Sequence, residues 1–163
     1  MTESLITEVA REFADALPEG GALIGLDLGT KTIGVATCDA NWSFATPGKT
    51  LPRGKFTRDK ALIGQLVAER RVKGLVIGLP LNMDGSSGPR AQASRAFARN
   101  LGSAEIGLGL PVLLWDERWS TASAERDMIA QDMSRAKRAE KIDSHAAAVI
   151  LQGAIDRLAG GIF

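Results

Sequence analysis

The sequence is short of the residues that carry most side-chain chemistry. Cys38 is the only cysteine among 163 residues, which excludes an intramolecular disulfide and a cysteine-based zinc centre. His145 is the only histidine, so histidine-rich zinc ligation is excluded and a Ser/His/Asp triad would hang on one residue. No apolar run approaches the roughly 20 residues of a membrane span, so no membrane partner is expected. There is no P-loop and no Rossmann glycine pattern, and no repeat or low-complexity segment. The amino terminus, MTESLITEVAREFADAL, is acidic and amphipathic and resembles neither a secretory signal nor a transit peptide; a cytoplasmic location is the expectation. The net charge of +1 argues by itself for no partner.

What is present is ordinary in amount and uneven in placement. An apolar fraction of 45% and a charged fraction of 24% suit one globular domain with a core large enough to need neither disulfide nor structural metal. Residues 1–19 hold Glu3, Glu8, Glu12, Asp15 and Glu19 against Arg11. From Lys31 to Lys73 nine bases face Asp39, Asp59 and Glu69, a local net of +6. A second basic cluster, SRAKRAEK, places Arg135, Lys137, Arg138 and Lys141 around Glu140. Such clustering on a near-neutral chain is either solvated surface or a face for a polyanion.

The apolar pattern predicts an amphipathic helix over 3–16, carrying Leu5, Ile6, Val9, Phe13 and Ala16, then a break at PEGG. Strands are expected at about 22–28 and 32–38, with a weaker one near 42–51 that Pro47 and Gly48 interrupt. A helix over 59–71 precedes a buried strand, GLVIGLP, at 74–80. After the polar loop LNMDGSSGP, Pro89 opens a helix to about Ser103. PVLLWDER supplies another strand, Ser120 or Thr121 is placed to cap a helix, and a last helix spans about 142–159. Three sequential strands followed by strand–helix alternation imply a mixed five-stranded α/β sheet, divided from an N-terminal helix and linker at residues 1–21.

Three carboxylates stand beside apolar segments. Asp27 sits in LIGLDLGTKTIGVAT, where burial costs several kcal/mol unless something positive compensates it. Asp116 and Glu117 follow the strand Val112–Trp115. Asp143 opens KIDSHAAAVIL, on the helical stripe shared with Ala147, Ile150 and Ala154. Acids that converge repel one another, and Mg²⁺ or Mn²⁺, one ion or two, would resolve the repulsion with all-oxygen ligation. Each acid also has a plainer reading as a turn former, a helix N-terminal charge, or an ion-pair partner of Arg118.

GLDLGTKTIGVA, VIGLPLNMDGSSGPRA, DERWST and KIDSHAAAVIL, in that order over about residues 22–159, together resemble the YqgF/RuvX family of pre-16S rRNA nucleases, relatives of Holliday-junction resolvases. The resemblance implies an RNase H-like fold over 22–163, metal-dependent phosphodiester hydrolysis, and maturation of the 5′ end of 16S rRNA. It assigns the catalytic and metal-binding roles to Asp27, Glu117 and Asp143. Resolvases of the wider superfamily carry a second aspartate on the last helix, where this chain has Ala146. They also carry a glutamate on the fourth strand, where it has Gly78-Leu79-Pro80. Glu117 must then reach across two strand spacings, a path that Gly78 would leave open.

Other residues take places around the acids. Lys31, with Thr30, lies in the turn after Asp27. Asn82 and Asp84 lie in the loop beyond a strand's carboxyl end, where α/β proteins place ligands. Arg90 starts a helix whose N-terminus favours an anion. Arg118 either clamps phosphate or holds Asp116. Arg135, Lys137, Arg138 and Lys141 would follow a nucleic-acid backbone. Arg95 and Arg99 read as solvated surface, and Trp115 and Trp119 as core. RNA is the favoured partner, and self-association is left open. The rivals are a junction-resolving DNA nuclease, a non-catalytic RNA-binding or transcription-associated module, and an actin-like ATPase or sugar kinase. The last shares DLGTKTIG but needs two such domains.

Overall fold

The computed structural model describes residues 5–119 and 135–159, with side chains in the last helix described from Ser144 onward. Six strands form one mixed sheet: β1 (Ile6–Thr7), β2 (Ala22–Leu28), β3 (Thr32–Cys38), β4 (Thr46–Pro52), β5 (Val72–Leu79) and β6 (Val112–Asp116), in the order β1-β6-β5-β2-β3-β4. The β2–β3–β4 meander is antiparallel, while β5, β6 and β1 add in parallel. Helices α1 (Ala10–Ala16) and α4 (Arg135–Ala159) cover one face; α2 (Phe56–Arg70) and α3 (Pro89–Gly102) cover the other. Among the described residues no helix is long and apolar enough to cross a membrane.

The sixth strand corrects the expected count of five. Residues 6 and 7 were expected in a helix; instead Ile6 pairs with Val112 and Thr7 with Leu113, and the Val112 amide donates to the Leu5 carbonyl at 2.8 Å. The β-branched pair suits a strand, and it closes the β6 edge that would otherwise expose its ladder groups. Thr7 then ends the strand: its hydroxyl accepts from the Val9 amide at 3.0 Å and bonds Glu12. The helix is thereby shortened to seven residues.

Other boundaries moved for local reasons. Helix α2 starts at Phe56, three residues before Asp59, because the buried Asp59 carboxylate accepts the Gly54 amide at 2.9 Å and secures the first turn. Strand β4 keeps Pro47 and Gly48 because it lies at the sheet edge, where a missing amide is tolerated. Helix α4 begins at Arg135 and not near 142, so the second basic cluster occupies its opening turns. The helix expected after Ser120 or Thr121 lies outside the described residues.

Alternation along the strands decides which side chains meet α4. Leu23, Val76, Leu113 and Trp115 pack on the α4 side, and Ile24, Leu26, Ile77 and Leu114 on the α2/α3 side. By that period of two, Asp27 and Gly78 face α4 and Asp116 faces away.

Candidate active site

Asp27 is the penultimate residue of β2, only 2% exposed, in the middle of the sheet. It pairs with Gly34 on β3, which pairs with Thr50 on β4. On the other side Leu26 pairs with Ile77, so one residue on Asp27 comes beside Gly78, and Gly78 pairs with Trp115. One row therefore crosses the sheet under α4: Trp115, Gly78, Asp27, Gly34, Thr50.

Glu117 enters this row from the far side. It follows β6 in a 3-10 turn, Glu117–Trp119. A methyl group built on Gly78 would stand 3.0 Å from Glu117 Oε2, 3.2 Å from its Cδ and 2.7 Å from Ile150 Cδ1 on α4. The carboxylate thus lies where a β5 side chain would be. Neighbouring strands are ~4.8 Å apart, so Glu117 is brought over the strand next to β2, on the face that Asp27 shares. The missing side chain at Gly78 is what lets β2 and β6 share a site across β5.

Helix α4 stands directly over the row. The Ala147 carbonyl is 3.1 Å and Leu151 Cβ 2.7 Å from a Cβ placed on Gly25. Ser144 Oγ and Thr50 Oγ1 are 2.7 Å apart in a hydrogen bond, and Ser144 also donates to the Gly48 carbonyl at 3.1 Å. Position 143, next to Ser144 and one turn before Ala147, belongs to this part of the helix. The Asp143 side chain itself, like those of Arg135, Lys137, Arg138 and Lys141, lies outside the described residues.

Asp116 and Glu117, adjacent in sequence, have different surroundings. Arg118 donates to both Asp116 oxygens, with Nη2 to Oδ2 at 2.7 Å and Nε to Oδ1 at 3.1 Å, and its amide donates to Oδ1 at 2.9 Å. Burial pushes the Asp116 carboxyl upward, but the hydrogen bonds from Arg118 outweigh it and hold the group below the usual carboxylate range. Arg118 also reaches toward the Met83 carbonyl at 3.4 Å, tying the 3-10 turn to the 82–86 loop.

That loop folds on itself. The Asn82 amide donates to the Ser86 carbonyl at 2.9 Å, Asn82 Nδ2 to Ser86 Oγ at 3.0 Å, and Ser86 donates twice to Asp84. Lys31 is exposed in the turn after β2. Arg90, in the first turn of α3, donates to the Leu28 carbonyl at 3.4 Å. A small cavity of about 180 Å³ lies between the 28–30 turn, Arg53 and the start of α3.

Arg53 was read only as part of a charge run. It donates to the Gly29 carbonyl at 2.6 Å and lies 5.7 Å from the Phe97 ring, bracing the turn that follows Asp27. No motif announces it; the charge run was its only signal. Trp115 is core, as expected, but Trp119 is 57% exposed, turned outward by the 3-10 turn, edge-on to Trp115 and beneath Arg157. Arg95 pairs with Glu8 at 2.8 Å on the surface.

The donors at the row suit a hard divalent cation: carboxylate oxygens only, over a cradle that any side chain at position 78 would fill. Among the described residues no group of three or more potential ligands occurs; Asp27 and Glu117 are two.

Comparison with known sequences decides the family. Residues 21–157 match the family described as "RuvX: Holliday junction resolvase". The chain belongs to this family. It is 69% identical to the "Putative pre-16S rRNA nuclease" of Novosphingobium aromaticivorans, over 98% of this chain and 100% of that one. It is 66% identical to the protein of the same description from Sphingopyxis alaskensis, over 94% and 99%. Among solved structures, RuvC of T. thermophilus in complex with a Holliday junction substrate is similar, with a TM-score of 0.55 at 15% identity over 86% of this chain and 96% of that one. A second T. thermophilus RuvC structure has a TM-score of 0.51 at 13% identity, over 85% and 96%. At such identities the likeness is one of fold, and it places the RuvX chain in the RNase H-like class. By its family the chain is a nuclease.

Proposed function

We propose that this RuvX chain is a cytoplasmic, divalent-metal-dependent nuclease that hydrolyses phosphodiester bonds of RNA, and that precursor 16S rRNA is its substrate. The observation that carries the chemistry is the Glu117 carboxylate lying over Gly78 in the row of the buried Asp27. The descriptions of relatives covering nearly the whole chain support RNA as substrate.

Asp27, Glu117 and Asp143 are the residues that would hold Mg²⁺ or Mn²⁺. When bound, such ions supply Lewis-acid stabilisation of charge on the phosphate and a nucleophile at neutral pH. The chain's own part is to fix geometry. Strand β2 holds Asp27 rigidly in the sheet centre, and the Arg118–Asp116 pairing holds the 3-10 turn so that Glu117 points inward. Lys31, Arg90 and Asn82 contact substrate phosphates along the rim, and Arg135, Lys137, Arg138 and Lys141 extend that contact along α4. Arg118, already committed to Asp116, positions the turn. Within the 1–21 segment, Ile6 and Thr7 act as an edge cover for the nuclease domain, 22–163.

The test is cleavage of structured RNA, single-stranded RNA and a four-way DNA junction, each with Mn²⁺ or with chelator. The proposal expects metal-dependent cleavage of RNA. Cleavage of the junction alone would transfer the mechanism to DNA, the substrate of the T. thermophilus RuvC complex. Metal-independent binding without cleavage of any of them would overturn it.

A further inference from the structure

A second cavity lies away from the carboxylates. It is an open groove of about 810 Å³ at the opposite end of the sheet, where β2 and β5 begin and β3 ends. Arg70, Arg71 and Lys73 line it from the α2–β5 junction, Phe44 from the approach to β4 and Pro47 from its start. Among the described residues the one acid in its lining, Asp39, is turned into its own loop, where it accepts the Ser43 amide at 3.0 Å and the Asn41 amide at 3.2 Å. The groove is therefore cationic.

An exposed aromatic ring among the cations distinguishes it from ordinary solvated surface. Phe44 is 66% exposed on the groove wall, so a large ring faces water with its apolar surface uncovered. Arg71 holds φ +52° at the end of α2, a left-handed backbone that glycine adopts freely and a side chain disfavours. There the Arg71 amide caps the helix by donating to the Val67 carbonyl, and the turn sets its side chain on the groove beside Arg70 and Lys73. Cations beside an exposed aromatic ring are the two elements of a single-strand nucleic-acid site: the charges follow the backbone, and the ring stacks a base.

The groove is also joined to the carboxylate end. Among the described residues strand β4 is a terminal strand of the sheet, running from Thr46 at the groove to Pro52, and the Arg53 that follows braces the turn after Asp27. Its length of seven residues spans about 20 Å, with Lys49 exposed midway. Pro47 on this edge opposes addition of a peptide strand, which favours a nucleic acid over an extended peptide.

We infer that the groove between Phe44 and Arg70–Lys73 binds a single-stranded extension of the nucleic-acid substrate, led there along β4 from the carboxylate site. The inference rests on the nuclease reading above and deepens it: the substrate class becomes a nucleic acid with a single-stranded tail next to the cleaved segment.

The test measures binding of the full chain, in chelator, to a blunt RNA duplex and to the same duplex with single-stranded tails of increasing length. Wild-type affinity should rise with tail length and then level off. Phe44→Ala and Arg71→Gly should each remove about tenfold of that gain, near the measured worth of one stacked base, and leave blunt-duplex binding unchanged. Arg71→Gly should also lower the salt slope on tailed RNA by about one. Its melting temperature should hold or rise, since glycine relieves the strained φ, so misfolding would not explain a loss. A wild-type protein indifferent to tails overturns the inference. So do variants that bind tailed RNA like wild type, or that lose blunt and tailed binding alike. Cleavage is scored separately through Asp27→Asn, so a failed nuclease reading shows in that assay and leaves the tail-dependent gain to be judged alone.

Discussion

Replacing Gly78 by alanine tests how the site is built. The added methyl meets Ile150 Cδ1 at 2.7 Å and the Glu117 carboxylate at 3.0–3.2 Å. Contacts that close force displacement, and the Glu117 carboxylate, at the end of a flexible side chain, gives way more easily than the packed core. Overpacking costs about 1–3 kcal/mol, offset by about 0.4–1 kcal/mol from the stiffer unfolded chain. The net loss is roughly 0–2.5 kcal/mol, or up to about 10 °C in melting temperature for a chain of this size. Activity should suffer more, because a displacement of ~1 Å in a catalytic group costs about 100-fold. Gly74→Ala supplies the control. Its methyl meets Leu17 Cδ1 and Phe13 Cζ at 2.8 Å on the same strand and face, away from the carboxylates. Thermal unfolding and single-turnover RNA cleavage on both variants should show similar stability losses and a cleavage defect in Gly78→Ala alone. Equal cleavage by both would refute the claim that Glu117 works from above Gly78.

Other expectations follow from the same geometry. Asp116 has its carboxyl held low by Arg118, so its stabilisation is present above the unfolded value near pH 4 and lost as pH falls through the folded value; Asp116→Asn should flatten the acid limb of a stability–pH curve and cost less cleavage than Glu117→Gln. Cys38 is buried, and burial pushes its thiol up to about 11. The native thiol should therefore resist alkylation at pH 8 and react on unfolding, and stability should decline as pH rises from the unfolded value near 8.5 toward 11. Replacing Arg135 and Arg138 together by alanine should weaken RNA binding and reduce its salt dependence by about two in slope, with Mn²⁺ affinity unchanged.

Much of this arrangement was legible in the chain. The apolar runs around Asp27 and before Asp116 read directly as buried strands, and Pro89 marked the start of α3. The passage over Gly78 was legible too, because a reach by Glu117 across β5 requires an absent side chain there. What was missed depends on contacts distant in sequence. Ile6 and Thr7 belong to a helical apolar pattern, and only pairing with Val112 and Leu113 makes them a strand. Trp119 follows a buried strand, yet a 3-10 turn swings it outward. Arg53 and the cations at 70–73 belonged to one charge run; the β-meander and α2 send them to opposite ends of the sheet. Charge counting cannot separate two ends of a fold.

The central claim is that Asp27 shares a divalent ion with Glu117 and Asp143 and that cleavage depends on it. Its most direct test is a Mn²⁺ titration of wild type and Asp27→Asn, followed by RNA cleavage and metal-free melting on the same preparations. The substitution keeps the shape of the side chain and removes its charge from a buried position. Mn²⁺ affinity and cleavage should fall together, while the metal-free melting temperature holds or rises as repulsion between carboxylates is relieved. Cleavage by Asp27→Asn at the wild-type rate would contradict the account.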